Sequence, residues 1–174
     1  DGSSSVFLDA GNLTQNTWHH IVGIIDRNNA LLHILLDGSE VGTSDISSII
    51  SPNNTEPVIF GNRNPSSLSF PYNGVASEIR IWNVVRTQRQ IEDNKNRRID
   101  VDRYAADPNT IKAVDGANDN DGTLNGAQWA EDGPQTNMQG SLSFDGVDDN
   151  VLLPNPGTFI CSSNAFTIEY WINY

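Results

Sequence analysis

The sequence predicts an all-β protein, two packed antiparallel sheets with one short helix at the side. Three observations lead there. Apolar runs of strand length recur along the chain, "IVGII" and "ALLHILLDG" among them, and turn formers separate them. Gly, Asn, Asp and Ser are abundant while hydrophobic residues make up only 37%, a mixture that favours short strands and tight turns over long helices. A single segment, "TQRQIEDNKNRRI", carries helix signals.

Each element follows from its residues. "SVFLDAG" alternates briefly and ends at Gly11. Residues 16–27 predict a strand, and 29–38 its hairpin partner across "DRNNA". Leu31, His33 and Leu35 share one face of that partner while Leu32, Ile34 and Leu36 share the other, so it belongs inside the sandwich rather than at its rim. "GSEVG" (38–42) reads as a turn, and "PVIFGN" (57–62) as the next strand. Residues 73–85 alternate in their second half, with Ile79, Ile81 and Asn83 on one face and Glu78, Arg80 and Trp82 on the other. In the helix, Thr87 and Gln90 have the spacing of a capping box. Lys95, Arg97 and Arg98 gather near its end and complement its dipole. Residues 100–122 are rich in turn formers and read as a linker. "TLNGAQW", "SLSFDG", "NVLLP" and "AFTIEYWINY" are strand-like again.

The totals exclude several classes. Ten basic against 22 acidic residues give a net charge of −12, which repels phosphate backbones and anionic membranes and argues against nucleic-acid binding. No apolar run approaches the roughly 20 residues of a membrane span, so no membrane insertion is expected. Cys161 is the only cysteine. An intrachain disulfide and a cysteine-rich zinc site are therefore impossible.

The segments together resemble a known family. "NTWHHIVGIIDRNNALLHILLDGSEVG", "FGN" and "YNGVASEIRIWNVVRTQRQIEDN" look like the closing half of laminin-G-like, concanavalin-A-like jelly-roll domains, especially those of bacterial multi-domain adhesins. "DGTLNGAQW", "GSLSFDGVDDNVLLP" and "AFTIEYWI" resemble the opening half. The resemblance implies a two-sheet antiparallel jelly roll. Closing elements come first here, and the middle strands of such a domain, some 40 residues by that resemblance, are not in the chain. The expected organisation is therefore the end of one module at 1–99, a linker at 100–122 and the start of the next module at 123–174. A permuted single domain is the alternative.

"FDGVDD" places Asp145, Asp148 and Asp149 within five residues. The plain reading is a hairpin tip, with Asp and Gly supplying turn geometry. The sharper reading is a calcium site, because clustered carboxylates repel one another unless solvated or bridged by a cation. Jelly rolls of the resembled kind hold calcium near their first and last strands, which implies Asp145 and then Asp148 as ligands, with Glu78 completing the set. "DGANDNDG" (115–122) lacks two ligand positions of the helix-loop-helix calcium loop and reads as linker. His19 and His20 point to opposite faces of one strand; a cross-strand pair with His33 is conceivable. By the resemblance, Trp18, Trp82, Trp129 and Trp171 fill core positions. Phe70 and Tyr72, in the loop "NPSSLSFPYNG", are the expected ligand-binding residues.

Glycosidases on such folds need paired carboxylates on one strand face, and neither Glu78 nor Glu169 has an acidic partner two or four residues away. Nucleophile-elbow and zinc-protease motifs are absent as well. The expectation is a non-catalytic, secreted or cell-surface module for adhesion or carbohydrate binding with calcium as a structural ion. Its partners would be a glycan or a neighbouring surface protein, with self-association through open sheet edges. The alternative is a spacer or assembly module without a ligand.

Overall fold

A computed structural model describes residues 6–9, 11–49, 58–62, 71–98, 112–113, 121–138, 140–153 and 165–174. Eleven strands and one helix lie among them. In chain order they are β1 (His19–Asp26), β2 (Leu31–Leu36), β3 (Ser39–Asp45), β4 (Val58–Phe60), β5 (Asn73–Trp82), α1 (Gln88–Asn94), β6 (Lys112–Ala113), β7 (Gly122–Asn125), β8 (Gln128–Ala130), β9 (Ser141–Asp145), β10 (Asn150–Leu153) and β11 (Ala165–Asn173). They form a seven-stranded sheet ordered β3-β2-β1-β11-β5-β9-β8 and a four-stranded sheet ordered β4-β10-β7-β6. All the strand pairs are antiparallel. The expected two-sheet sandwich is therefore the observed one.

The expected β1–β2 hairpin forms, with Ile21 opposite Leu36 through Asp26 opposite Leu31. Asp26 sets the turn: its carboxylate accepts from the Asn28 and Asn29 amides and from the Asn29 side chain. β2 lies one strand in from the edge, as its two apolar faces require. The edge itself is β3, which runs through the residues expected to turn. Its register against β2 slips between Ile34 and Leu35, and five of its seven residues, Ser39, Glu40, Val41, Thr43 and Asp45, are exposed. An exposed edge of Ser, Glu, Thr and Asp has no apolar alternation to announce it, and it is polar enough to discourage edge-to-edge pairing.

Each face of the large sheet has its own core. On the outer face Val22, Ile24 and Leu35 pack with Ile91 of α1. On the inner face Ala76, Leu142 and Phe144 meet Val151 and Ala127, flanked by Phe60, Tyr72, Leu124, Trp129 and Ile172. The helix is short, so its placement depends on its cap and one anchor. Thr87 Oγ1 accepts from the Gln90 amide and Gln90 Oε1 accepts from the Thr87 amide, the predicted capping box. Lys95 is the C-cap, and its Nζ donates to the Asp37 carbonyl at 2.7 Å.

Strands from the two ends of the chain share both sheets. β11 lies between β1 and β5, β9 extends the same sheet beyond β5, and β10 pairs with β4. Within the segment read as a linker, Lys112–Ala113 forms β6 against the start of β7.

Ile91 is fully buried and is the one buried side chain of α1. Ile91→Ala is expected to lower the unfolding free energy by about 2–4 kcal/mol, read by denaturant titration. A change under about 0.5 kcal/mol, the range of ordinary surface substitutions, would mean that the helix is not anchored this way.

Candidate functional site

The acidic stretch is not a hairpin tip. β9 belongs to the seven-stranded sheet and β10 to the four-stranded one, so residues 146–149 form a corner between the two. Alternation of side chains is the same for a strand that turns back and for one that crosses to the other sheet, and the sequence could not separate them. The corner is built from its own carboxylates. Asp145 Oδ1 accepts from the Val147 amide at 2.8 Å, and Asp149 Oδ2 accepts from the Asp145 amide at 2.8 Å. Asn150 Nδ2 closes on the Asp148 carbonyl and its Oδ1 accepts from Asn125 Nδ2. Gly146 supplies the left-handed backbone, φ +78°.

This corner brings Asp145 and Asp148 together with Asp149: one carboxylate oxygen of each lies within 4.8 Å of the others. Asp145 and Asp148 are exposed while Asp149 is buried. Two oxygens on one calcium ion at about 2.3–2.6 Å can be no more than about 5.2 Å apart, so three oxygens at this spacing fit a single ion. Asp149 is the ligand candidate that the expected set lacked. A signal for it existed, because it is the acid that precedes the β10 run directly, where a side chain is held by the strand.

Glu78 is not part of the cluster. It falls in a bulge of β5: Arg80 lies opposite Glu169 and Ser77 opposite Trp171, so two residues of β5 face one of β11. Glu78 takes up the bulge in the left-handed region, φ +51°, and its Oε2 accepts from Arg80 Nη2 at 2.9 Å. An arginine satisfies the carboxylate that a cation would otherwise have bridged.

Phe70 lies outside the described residues. Tyr72 is half-buried, edge-on to Phe144 with ring centroids 5.7 Å apart. Its hydroxyl lies 2.9 Å from the Asn173 carbonyl and 3.0 Å from that of Val75, and burial pushes the phenol up to about 12. The residue beside it, Asn73, is opposite Asp145 in the β5–β9 register. The Tyr72 amide donates to the Gly61 carbonyl at 2.7 Å. The end of β4, the start of β5, the end of β7 and the acidic corner therefore meet at one end of the sandwich. Gly126 makes this approach possible: with φ +79° it packs directly on the Asp149 carboxylate, where a Cβ would collide with Oδ1.

The three histidines are each taken by a separate acid, so no cross-strand His pair forms. His19 Nδ1 is 2.9 Å from Asp37 Oδ2, His33 Nδ1 is 2.8 Å from Glu40 Oε2, and His20 Nε2 is 3.5 Å from Glu169 Oε2. Glu169 has no exposed surface. Trp82 Nε1 donates to its Oε1 at 2.8 Å, and Arg80 Nη1 lies 3.7 Å from the same oxygen. Burial alone would raise the Glu169 pKa. The His20 and Trp82 contacts and the Arg80 charge outweigh it and leave the carboxyl below its usual 4.5. Glu169, Glu78 and Arg80 form an ion network sealed under the segment that follows α1, since Arg80 also donates to the Asn94 and Arg97 carbonyls.

Of the four tryptophans, Trp171 is buried and the other three are half-buried. Trp129 packs against the inner core. Trp82 lies under the Arg86 guanidinium, 4.1 Å from the ring centroid. A separate open groove of about 490 Å3 runs over the inner face between Leu8 and Leu13 on one side and Ile21, Ile34 and Tyr170 on the other.

The laminin-G-type model of the concanavalin A-like lectin/glucanases superfamily matches residues 1–92. That is more than half of the chain, and the chain belongs to this superfamily. No curated protein and no solved structure matches it. Membership makes it, in general terms, a carbohydrate-binding or structural module. Laminin-G-like domains are generally non-catalytic binding modules and typically extracellular. Among the described residues no helix is long and apolar enough to cross a membrane.

Two outcomes test this geometry. Gly126→Ala is expected to cost about 1–3 kcal/mol, clearly more than Gly11→Ala, whose φ is +82° but whose Cβ meets nothing within 4 Å. Equal costs in denaturant titration would show that Gly126 does not pack on Asp149. For Glu169, a carboxyl held below 4.5 in the fold stabilises fully above that pH and loses the contribution as pH falls through its folded value. The stability gap between the wild type and Glu169→Gln should therefore narrow below pH 4.5. A gap that stays constant down to the acid limit would mean the carboxyl is not held in this network.

Proposed function

We propose that the chain is a non-catalytic module of an adhesive or carbohydrate-binding surface protein, with calcium held at the β9–β10 corner by Asp145, Asp148 and Asp149. The observation that carries it is the cluster itself: three carboxylate oxygens within 4.8 Å at the corner where β9 of one sheet leads into β10 of the other. Calcium there neutralises the acidic turn and fixes the crossing between the sheets. The ligand face is the adjoining rim at Tyr72 and Asn73, beside the corner. An extracellular setting supplies millimolar calcium, the regime of low-charge, partly exposed sites.

The adjoining-module reading is part of the same proposal. The chain combines the closing strands of one module at 1–99 with opening strands at 123–174, so neighbouring copies in an array would present equivalent corners. A spacer without a ligand is the alternative, favoured by the protein partners that the other buried acids already have, Arg80 for Glu78 and Arg80, Trp82 and His20 around Glu169.

Calcium at about 100 times its Kd is expected to stabilise the chain by about 2.7 kcal/mol, seen as a rise in melting temperature that EDTA reverses. Asp145→Asn with Asp148→Asn should abolish the rise while leaving the calcium-free melting temperature within a few degrees. Binding to a glycan array with calcium and not with EDTA completes the reading. A melting temperature insensitive to calcium would overturn the metal site, and calcium binding with no glycan retained would favour the spacer.

A further inference from the structure

The distribution of strands between the two ends of the chain has a consequence that is independent of calcium and of glycan binding. Residues up to 98 supply β1 to β5 and α1, and residues from 112 supply β6 to β11. The first block supplies the whole outer-face core, but neither block builds the inner core alone. In the first block β1 and β5 never pair with each other; β11 fills the space between them. Without it, the two strands would face one another across a gap one strand wide, each with an unpaired row of amides and carbonyls. The inner core is likewise shared, Ala76, Phe60 and Tyr72 from one block against Ala127, Leu142, Phe144 and Val151 from the other.

β11 is addressed to that gap by side chains as well as backbone. Glu169 takes the Trp82 indole and lies beside Arg80 and His20. The Thr167 hydroxyl donates to the Val84 carbonyl and accepts from the Arg86 amide. Trp171 Nε1 donates to the Lys95 carbonyl, and Tyr174 holds Leu13 and Asn16 through its hydroxyl and carbonyl. All of these partners belong to the first block, and they fix one register.

We infer that the first block of one chain accepts the second block of another copy, by reciprocal exchange of residues 112–174. The contacts are identical in the closed monomer and in the exchanged dimer, so no new interface is required. The two forms differ only in which copy the connection from Arg98 to Lys112 joins, and thirteen residues reach at most about 45 Å. A tether of that length gives the intrachain partner an effective concentration of about a millimolar. Exchange therefore competes wherever copies are held at similar density, as in a row of surface-anchored chains.

Cysteine trapping in the full-length chain tests this, in a Cys161→Ser background that leaves no other thiol. Ile25 and Phe166 are directly opposite in the β1–β11 register. One copy carries Ile25→Cys and the other Phe166→Cys; they are unfolded, refolded together at about 0.5 mM and oxidised. About a tenth or more of the chains should form a disulfide-linked heterodimer, set by competition with the millimolar tether. A single chain with both substitutions, refolded at high dilution, should close its own disulfide and show that the register forms. The mismatched pair Ile25→Cys with Val147→Cys, at an exposed turn position, should give at most a tenth of the matched yield. Heterodimer below about a hundredth while the double variant closes efficiently, or equal yields from matched and mismatched pairs, would overturn the exchange. Failure of the double variant to close would overturn the register on which it depends.

Discussion

One buried carboxylate ties the molecule together. Glu169 is in the central strand of the large sheet, with no exposed surface, and a lone charge there would be prohibitively costly. It is tolerated because Trp82 donates to it and Arg80 and His20 stand beside it. Those partners come from β5 and β1, so the charge can be satisfied only when β11 is flanked by both strands in this register. The network then spreads. Arg80 takes Glu78 in the bulge, the Asn94 carbonyl at the end of α1 and the Arg97 carbonyl beyond it, while the His20 amide donates to Asp37, whose carbonyl accepts from Lys95. Sheet register, bulge and helix placement are thus consequences of one requirement. Buried ion networks contribute little to net stability but penalise wrong pairings heavily, which suits a strand that must find one slot among several apolar neighbours.

The same network accounts for where chemistry is absent. The buried groups His20, Arg80 and Glu169 are paired with one another, and Arg80 is tied to the end of α1 and the residues after it. The accessible acids lie on the edge strand β3, on α1 and at loops and corners. At the β9–β10 corner the chain changes sheets within four residues, which brings Asp145, Asp148 and Asp149 into close range while Gly61, Gly126 and Gly146 let backbone approach. Carboxylates brought together by a fold constraint, rather than by their own attraction, leave an electrostatic cost that a cation can relieve.

Much of the fold was legible in the sequence. The β1–β2 hairpin, β5, α1 with its capping box and β11 all follow from local signals, since alternation and caps act over a few residues. What escaped was non-local or silent in hydrophobicity. β3 is an exposed polar edge, and β6 is two residues long and depends on β7. The corner was mistaken for a hairpin tip because alternation does not say which sheet a strand joins. Of the proposed metal ligands, Asp145 and Asp148 are adjacent in sequence and stay adjacent in space. Glu78 was assigned by resemblance, and a bulge, invisible in the pattern, turned it onto Arg80. Asp149 was visible as an acid, but its burial depends on contact with Gly126.

The charge balance acquires a physical role at this point. A net charge of −12 acts against close approach of whole copies, yet the block boundary crossed by β11 is dominated by neutral hydrogen bonds and by one compensated ion network. Repulsion between surfaces therefore opposes adventitious edge pairing at β3, where Glu40 and Asp45 are exposed, more than it opposes insertion of β11 into its slot. The first is governed by unscreened surface charge, which salt weakens over about 10 Å. The second is governed by buried partners that salt barely reaches. A polar edge and an addressed central strand together let such a chain associate through one route while suppressing the other.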